Sequence, residues 1–245
     1  MGSALLTLTD VGRDFEAGGA RGRALSDVNL EVAEGEMVAL LGPSGSGKTA
    51  LLNILGALDA PTRGAYRFRG ADVAAMSAAE QAELRNRRIG QVFDVPHLAE
   101  HLTAQRNVET PLEYGGGKRY KVRARDRLAY AGLAGREAAR PPQLTPGERQ
   151  RVAIARAAVM NPYLVLADEP TGSLDAHAAL QTLALLQRLH ADGLAVVVAT
   201  AQPPVAAYCA RVVRLSDGRV VVEEPVRERR SAALELHRAE WEAAG

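Results

Sequence analysis

The chain has 245 residues, 47% hydrophobic and 24% charged, so it is long enough to bury the core of one large α/β unit. Its 30 Lys and Arg balance 29 Asp and Glu, and a net charge of +1 argues against a nucleic-acid-binding protein with a broad basic face. The single cysteine, Cys209, excludes an internal disulfide and favours a reducing compartment. We expect no signal peptide and no spanning helix, since no apolar run approaches about 20 residues.

The hydrophobic pattern predicts strands that alternate with helices. Residues 4–41 are predicted to be strands, and the continuously apolar Met37–Leu41 should be a buried one, whereas Gly18, Gly19 and Gly22 predict a mobile surface loop. Further along the chain we predict helix 48–56, strand 66–68, helix 78–88, strand 89–93, charged helices within 100–140, helix 147–159, strand 163–167, helix 175–191, strand 194–200, helix 203–209, and edge strands 211–215 and 219–223. This order implies a mainly parallel sheet covered on both faces.

A phosphate-binding loop is indicated directly after the buried strand. The P-loop pattern is matched at every required position by Gly42, Pro43, Ser44, Gly45, Ser46, Gly47, Lys48 and Thr49. The loop glycines let backbone amides turn towards a phosphate, and the following helix presents its positive end to the same anion. We expect Lys48 to contact the β- and γ-phosphates of ATP and the Thr49 hydroxyl to bind Mg²⁺. A chance match is disfavoured because a strand and a helix flank the pattern.

Two carboxylates follow a second apolar strand. Asp168 and Glu169 come directly after Tyr163–Ala167, at the sheet edge where open α/β folds bind ligands. We expect Asp168 to hold Mg²⁺ and Glu169 to accept a proton from an attacking water, as the catalytic base. The alternative, a simple helix cap, is disfavoured because residues 170–175 do not continue as a helix.

These signals predict the fold class and the domain organisation. We expect an α/β P-loop NTPase core, with a mainly parallel sheet flanked by helices and with antiparallel strands at the N-terminus. The core should comprise residues 1–93 and 161–224 and be interrupted by a helical subdomain, 94–160. A helical tail, 225–245, should follow, and its Leu234 and Trp241 share one face. That tail either packs on its own domain or docks a partner.

Further motifs resemble one family of P-loop proteins. The stretch Leu144–Ala157, the sequence Asp168-Glu-Pro-Thr and the sequence Ser173-Leu-Asp175 resemble the ABC transporter ATPase family in their order and spacing. The resemblance covers roughly residues 4–224. Pro61–Gly64, Ile89–Phe93 and Asn107–Pro111 look like the branch that serves lipoprotein release and macrolide export.

The resemblance implies roles for residues outside the P-loop. Phe15 falls where the family places an aromatic ring that stacks on adenine, although it could instead be a core contact of a surface strand. Ser173 and Asp175 match the loop that communicates across a dimer. The signature segment, Leu144–Glu148, would cap the ATP of the opposite subunit, so Thr145 and Gly147 would approach a partner's nucleotide. A homodimer, or a heterodimer with a related ATPase subunit, would follow.

Three positions depart from the family pattern. Asp94 stands where Gln is expected; it keeps an oxygen that could bind Mg²⁺ but adds a negative charge near the phosphates. Pro146 replaces a signature Gly and removes one backbone N–H. Ala201 stands where His is expected, so an imidazole contact to the γ-phosphate is lost. These changes predict an ATP-binding protein with slow hydrolysis; the alternative is that Gln202 and Asp94 compensate and turnover is ordinary.

By resemblance, the expected function is MgATP hydrolysis coupled to an integral membrane permease. The subunit would be cytoplasmic and peripheral at the inner face of the cell membrane, with no nucleic-acid partner. An ATP-gated regulatory clamp with little hydrolysis is the alternative, and a heterodimer in which this chain supplies one weak site is a third. A soluble DNA-repair or translation ATPase is disfavoured because the chain has one cassette and no long coiled coil.

Overall fold

The computed structural model describes residues 3–17, 20–116 and 119–244. Its strands are β1 (Ala4–Ala17), β2 (Ala20–Ala33), β3 (Met37–Leu41), β4 (Arg63–Phe68), β5 (Ala71–Asp72), β6 (Ile89–Val92), β7 (Leu164–Asp168), β8 (Ala195–Thr200), β9 (Arg211–Ser216) and β10 (Arg219–Pro225). Its α-helices are α1 (Lys48–Leu55), α2 (Ala78–Arg87), α3 (Ala104–Tyr114), α4 (Tyr120–Tyr130), α5 (Pro146–Ala158), α6 (Ala176–Ala191), α7 (Pro203–Ala206) and α8 (Ala232–Ala244). The predicted alternation of strands and helices is confirmed.

The main sheet has six strands in the order β10-β9-β3-β8-β7-β6. The pairs β3–β8, β3–β9, β7–β8 and β6–β7 are parallel, and β10 pairs antiparallel with β9 at the edge. Every residue of β3 and β8 is buried, as expected for apolar strands covered on both faces. The predicted mainly parallel sheet is therefore confirmed.

A second sheet of four strands, in the order β2-β1-β4-β5, is antiparallel and contains the N-terminal hairpin. The predicted antiparallel strands at the N-terminus are confirmed. The predicted surface loop is wrong at Gly22, which lies within β2 opposite Phe15 of β1. The other two glycines of that prediction, Gly18 and Gly19, lie outside the described residues.

Two apolar clusters cover the two faces of the main sheet. Because side chains alternate along a strand, Val197 of β8 packs with β1, β2 and α1, whereas Val196 and Val198 pack on the other side. That other cluster includes Val108 of α3, Leu128 of α4 and many residues of α5 and α6. The helical segment predicted between the two parts of the core thus packs directly on the sheet.

Some predicted boundaries were wrong. Helix α7 ends at Ala206 rather than at residue 209, because the backbone then closes tight turns, with Tyr208 N bonded to Val205 O and Cys209 N bonded to Ala206 O. The tail becomes helical only at Ala232, since its preceding backbone bonds back to the core. Among the residues with described structure, no helix is both long enough and apolar enough to cross a bilayer.

Candidate nucleotide site

The candidate site lies where the carboxyl ends of adjacent parallel strands meet. The register pairs Leu41 of β3 with Thr200 of β8, and Asp168 of β7 with Ala199 of β8. The P-loop follows β3, Glu169 follows β7 and Ala201 follows β8. Parallel strands therefore bring together residues that are far apart in sequence, at the edge where open α/β folds bind ligands.

The P-loop adopts a conformation that depends on two glycines. Gly45 has φ +80° and Gly47 has φ +103°, which is backbone that residues with a side chain adopt at a cost. A Cβ on Gly47 would also lie 2.7 Å from the carbonyl oxygen of Ala24 in β2. The loop can lie this close to β2 because both positions are glycine.

The loop borders a pocket of about 400 Å³. Its walls are formed by Phe15, Arg23, Ala24, Ser44, Gly45, Gly47, Lys48, Thr49, Ala50, Asp168 and Glu169. Pro43, Ser44 and Gly45 are exposed at the tip of the loop, whereas Gly42 and Ser46 are buried beneath it. Most of the residues predicted to bind phosphate and metal thus line one cavity.

Two of the loop amides have internal partners, which the sequence did not indicate. The N–H of Gly42 donates to the Thr200 carbonyl at 3.2 Å, and that of Ser46 donates to the Pro43 carbonyl at 3.2 Å. The Ser46 carbonyl in turn accepts from Gly218 at 3.0 Å. In this conformation, Gly42 and Ser46 shape the loop rather than offer their amides to a ligand.

Lys48 is buried and held by the loop itself. Its Nζ donates to the carbonyl oxygens of Gly42 at 2.7 Å and Pro43 at 3.0 Å. The same ammonium lies 3.6 Å from Oε1 of Glu169. An incoming phosphate would therefore compete with these acceptors for Lys48, and it would separate the ammonium from the predicted catalytic base.

Thr49 and Asp168 form the part of the site suited to a cation. The Thr49 hydroxyl donates to Oδ2 of Asp168 at 2.8 Å. Burial raises the pKa of Asp168, and nearby Asp94 acts in the same direction, while Thr49 and Lys48 partly offset the effect. A carboxylate that is short of positive charge, beside a hydroxyl, fits the oxygen ligands that Mg²⁺ prefers.

Asp94 lies beside the P-loop pocket and is not among the residues that line it. Within the described ranges, no group of three or more His, Cys, Asp or Glu side chains is placed to hold a metal ion. Asp94 lies instead in a neighbouring groove with Pro146 and Ser173, although its charge still affects Asp168. The role of Asp94 as a metal ligand stays a prediction; the structure shows its charge close enough to act on Asp168.

Phe15 lines the pocket with its ring 48% exposed, which disagrees with a core role. The ring lies against β2 where Gly22 leaves space, since a Cβ there would be 2.3 Å from the ring. Beside it, Arg23 also lines the pocket and is paired through Nε with Asp14 at 3.2 Å. The sequence analysis did not identify Arg23 as a pocket residue. The one signal that could have indicated it was the opposite charge of Asp14, its partner across the hairpin.

The altered signature segment forms a well-capped helix start. The Thr145 hydroxyl accepts from the Glu148 N–H at 3.2 Å, and the Glu148 carboxylate accepts from the Thr145 N–H at 2.8 Å. Desolvation by burial tends to raise the pKa of Glu148. The hydrogen bond from the Thr145 N–H and the nearby Arg136 outweigh this effect and hold the pKa below its usual range. Pro146 occupies the first helical position, where proline is favoured. Gly147 follows, and a Cβ added at this glycine would lie 2.7 Å from the Cβ of Ala178 in α6.

The segment around Asp94 is attached to α5. Gln150 is buried and donates to the Phe93 carbonyl at 3.4 Å, while Arg156 donates to the carbonyls of Pro96 and His97, each at 2.8 Å. Neither residue was singled out from the sequence, since a buried Gln and a half-buried Arg on one helix give no distinctive pattern. Through them, the signature helix is connected by hydrogen bonds to the segment that carries Asp94.

Two other predicted residues lie beside the pocket rather than in it. Asp175 caps α6, its carboxylate accepting from the Ala178 N–H at 2.8 Å. Ala201 is exposed after β8, and the next residue, Gln202, forms no side-chain cap on α7 among the described contacts. The structure therefore offers no described partner that holds Gln202 in the position of the missing imidazole.

Comparisons with known proteins point to one family. A sequence profile of the ABC transporter family matches residues 25–172. The macrolide export ATP-binding/permease protein MacB 1/2 of Paracoccus denitrificans (strain Pd 1222) is 46% identical over 224 residues, covering 91% of this chain and 34% of that protein. The macrolide export ATP-binding/permease protein MacB of Escherichia coli O157:H7 is 43% identical over 231 residues, covering 94% and 36%. The chain thus spans about a third of the length of these relatives.

Two solved structures of the ATP-binding cassette MJ0796 have the same fold. A dimeric post-hydrolysis state bound to ADP and Pi has a TM-score of 0.84 at 38% identity, and a dimeric structure described as a bacterial ABC transporter cassette has 0.84 at 40%. Each covers 91% of this chain and 99% of the other. The P-loop pocket and this fold define an ATPase cassette. The chain belongs to the ABC transporter family.

Proposed function

We propose that this cassette uses the binding and hydrolysis of MgATP to drive a membrane-embedded permease. The observation that supports it most is the convergence of Lys48, Thr49, Asp168 and Glu169 on one P-loop pocket. The described contacts give no support to the alternative, a regulatory clamp without hydrolysis. The relatives named as ATP-binding/permease proteins, of which this chain spans about a third, suggest the kind of partner.

In the proposed mechanism, ATP displaces the internal partners of Lys48. Phosphate oxygens replace the carbonyls of Gly42 and Pro43 as acceptors, and the ammonium then offsets charge that develops on the phosphates. Glu169 is released from Lys48 at the same time. It is then free to orient a water and accept its proton while that water attacks the γ-phosphate.

Thr49 and Asp168 would hold Mg²⁺ through the hydroxyl and carboxylate that now bond to each other. The ion would neutralise charge on the phosphate oxygens. Mg²⁺ commonly binds one or two protein groups and completes its shell with phosphates and water, which agrees with so small a ligand set. Asp94 would act on this site through its charge alone.

We infer that the working unit is a dimer. The residues that line the P-loop pocket include none from the signature segment Leu144–Glu148 among those described. Thr145 and Gly147 would meet the nucleotide of a second subunit, and Asp175 and Ser173 would lie at the contact. Both MJ0796 structures are described as dimeric. The partner is a second copy or a related ATPase subunit.

The contact with the permease is proposed at the groove that contains Asp94. Because Gln150 and Arg156 connect this groove to α5, a movement of the signature helix would reach the partner directly. We propose that the cassette works in the cytoplasm, peripheral to the inner face of the membrane. The proposal involves no nucleic acid.

The departures at Ala201 and Pro146 are proposed to slow hydrolysis more than binding. Loss of one preorganised hydrogen-bond donor lowers the turnover rate by a factor of about 10²–10³, and the effects of several losses need not add. The P-loop residues and Asp168, which are proposed to bind the phosphates and metal, match the pattern. A protein that turned over ATP at the rates normal for transporters would contradict this proposal.

The test is ATP turnover and dimerisation of Glu169→Gln beside the unmodified protein. Because a general base contributes about 10²–10⁴, we expect turnover to fall at least about 100-fold while MgATP binding is retained. A stable ATP-bound dimer should then appear by light scattering. The matched control is Glu83→Gln, an exposed carboxylate on α2. Equal turnover in Glu169→Gln and the control would remove Glu169 as the base.

A further inference from the structure

A cavity of about 520 Å³ lies beneath the C-terminal helix, away from the P-loop pocket. The start of α8 is fixed to the core, because Gln187 donates to the carbonyls of Tyr208 at 2.9 Å and Arg230 at 2.8 Å and accepts from the Ala232 N–H at 2.9 Å. Beyond this anchor, α8 covers α6 without filling the space against α4 and α5. We refer to this space as the tail cavity.

The inner wall of the tail cavity is apolar. Ala131 and Leu185 are buried in its floor, Ala184 lies beside them, and Leu236 faces them from α8. The small residues Ala131 and Gly132 after α4, and Ala184 on α6, leave this space open. Its volume lies within the roughly 300–1,000 Å³ of small-molecule sites, which are mostly apolar with a few convergent polar groups.

Two arginines supply the positive charge at this wall, and both have neutral partners. Arg151 hydrogen-bonds to the side-chain oxygen of Gln181. Arg188 donates to the Tyr130 carbonyl at 3.3 Å, and its guanidinium lies 3.9 Å from the centre of the Tyr130 ring. The nearby acid Glu148 is paired with Arg136 at 2.9 Å. Positive charge therefore faces an apolar cavity without a carboxylate in hydrogen-bonding contact among the described residues.

We propose that the tail cavity binds a small amphiphilic anion, with its apolar body against Leu185 and Leu236 and its carboxylate or sulfonate near Arg151 and Arg188. Charge-assisted hydrogen bonds from a guanidinium to an oxyanion are stronger than those to the amide and carbonyl it now contacts. Burial also lowers the pKa of Arg151, an effect that a bound anion would oppose.

The position of the tail cavity connects it to the cassette without making it part of the ATP site. Arg151 belongs to α5, the signature helix, and Arg188 belongs to α6, which begins after Asp175. An occupant would contact both helices and α8 together. The inference does not rest on the proposed function, since it concerns binding to residues outside the P-loop pocket.

The experiment uses the full chain and two probes, 1-anilinonaphthalene-8-sulfonate followed by fluorescence, and dodecanoate as its competitor. We expect saturable binding of the sulfonate and its displacement by dodecanoate. Ala184→Phe should abolish this binding, because the ring fills the space between α6 and α8. Arg188→Gln should weaken it about tenfold, the loss typical of one charged hydrogen bond.

Matched variants keep the test specific. Ala239→Phe and Arg238→Gln, on exposed positions of α8 outside the cavity lining, should leave probe affinity unchanged. MgATP affinity, measured for all four variants, should equal that of the parent and so report intact folding. The proposal is overturned if the probe does not saturate, or if Ala184→Phe binds it as tightly as Ala239→Phe does. Displacement by dodecane-1-ol as effective as that by dodecanoate would overturn the role of the arginines.

Discussion

Two regions of this cassette depart from the family pattern to different degrees. We call the region of the P-loop and Asp168 the P-loop edge, and the region of the signature segment, the end of β8 and the turn of Asp94 the signature edge. At the P-loop, every required position is matched, and Lys48, Thr49 and Asp168 converge on one pocket. Around the signature and the end of β8, Pro146, Ala201 and the Asp94 turn each differ from the expected residue. We propose that the first region determines whether nucleotide binds, and that the second contributes to how the bound nucleotide is hydrolysed.

The comparison shows that altered residues need not mean a disordered region. The signature helix keeps its capping box between Thr145 and Glu148, and Pro146 lies where its missing N–H has no helical partner to lose. The departures therefore leave the local fold intact, and under the proposed function they change only which donors face a nucleotide. Binding and turnover should respond separately to mutation in the two regions.

The largest effect is expected from Lys48→Ala. Nζ makes two short hydrogen bonds that ATP would replace with charged ones, each worth about 1.5–3 kcal/mol. At about 1.4 kcal/mol per factor of ten, MgATP affinity should fall at least about 100-fold. Isothermal titration measures it.

Lys121→Ala is the matched control, since that lysine is exposed on α4. The MgATP affinity of this variant should equal that of the parent. Lys48→Met, with a chain of similar length, separates loss of charge from a packing defect. Full MgATP affinity in Lys48→Ala would mean that the P-loop pocket is not the nucleotide site, and the contrast between the two regions would lose its basis.

A smaller effect, of opposite sign, is expected from Ala201→His. The substitution restores an imidazole at the end of β8, next to the strand that leads into the P-loop. One restored donor should raise turnover about 10- to 100-fold, with little change in MgATP affinity. Steady-state phosphate release measures the rate, and the double variant with Asp94→Gln shows whether the added charge also slows it.

Ala60→His, in an exposed turn, is the control for a surface histidine. If Ala201→His leaves turnover unchanged while the parent is already fast, Gln202 or another group compensates, and the signature edge is functionally ordinary. If it leaves turnover unchanged and the parent is slow, the limiting departure lies elsewhere in that region.

The sequence predicted the P-loop edge far better than the surroundings of the site. An apolar strand, a glycine-rich loop and a helix are local features, so the pattern from Met37 to Leu55 indicates structure and chemistry together. The convergence of Asp168 with Thr49 was predictable too, because parallel strands end at one edge. Arg23 was not, because its place in the pocket depends on how a separate antiparallel hairpin packs over the loop.

Tertiary contacts also determine what the sequence could not predict around Asp94. Its metal role was predicted from its family position, and the turn after β6, which lines a neighbouring groove, is held by Gln150 and Arg156. Local pattern does not encode such contacts. The internal hydrogen bonds of the Gly42 and Ser46 amides were equally unpredictable, since their acceptors lie in β8 and in the loop itself.

The smallest effect should come from Pro146→Gly, which tests whether the signature departure matters for chemistry. Because the first helical N–H has no intrahelical partner, glycine there adds a donor without repairing any bond, and it gives up the preset φ of proline. We expect stability to fall by less than about 1 kcal/mol and turnover to rise less than about tenfold, measured by thermal melts and phosphate release. Pro61→Gly, in the turn before β4, controls for the general cost of glycine. A gain in turnover of about 100-fold would instead show that the main loss of catalysis lies at the signature amide. Ala201→His on the Pro146→Gly background would then raise turnover little further, because residues that act as a unit do not contribute independently.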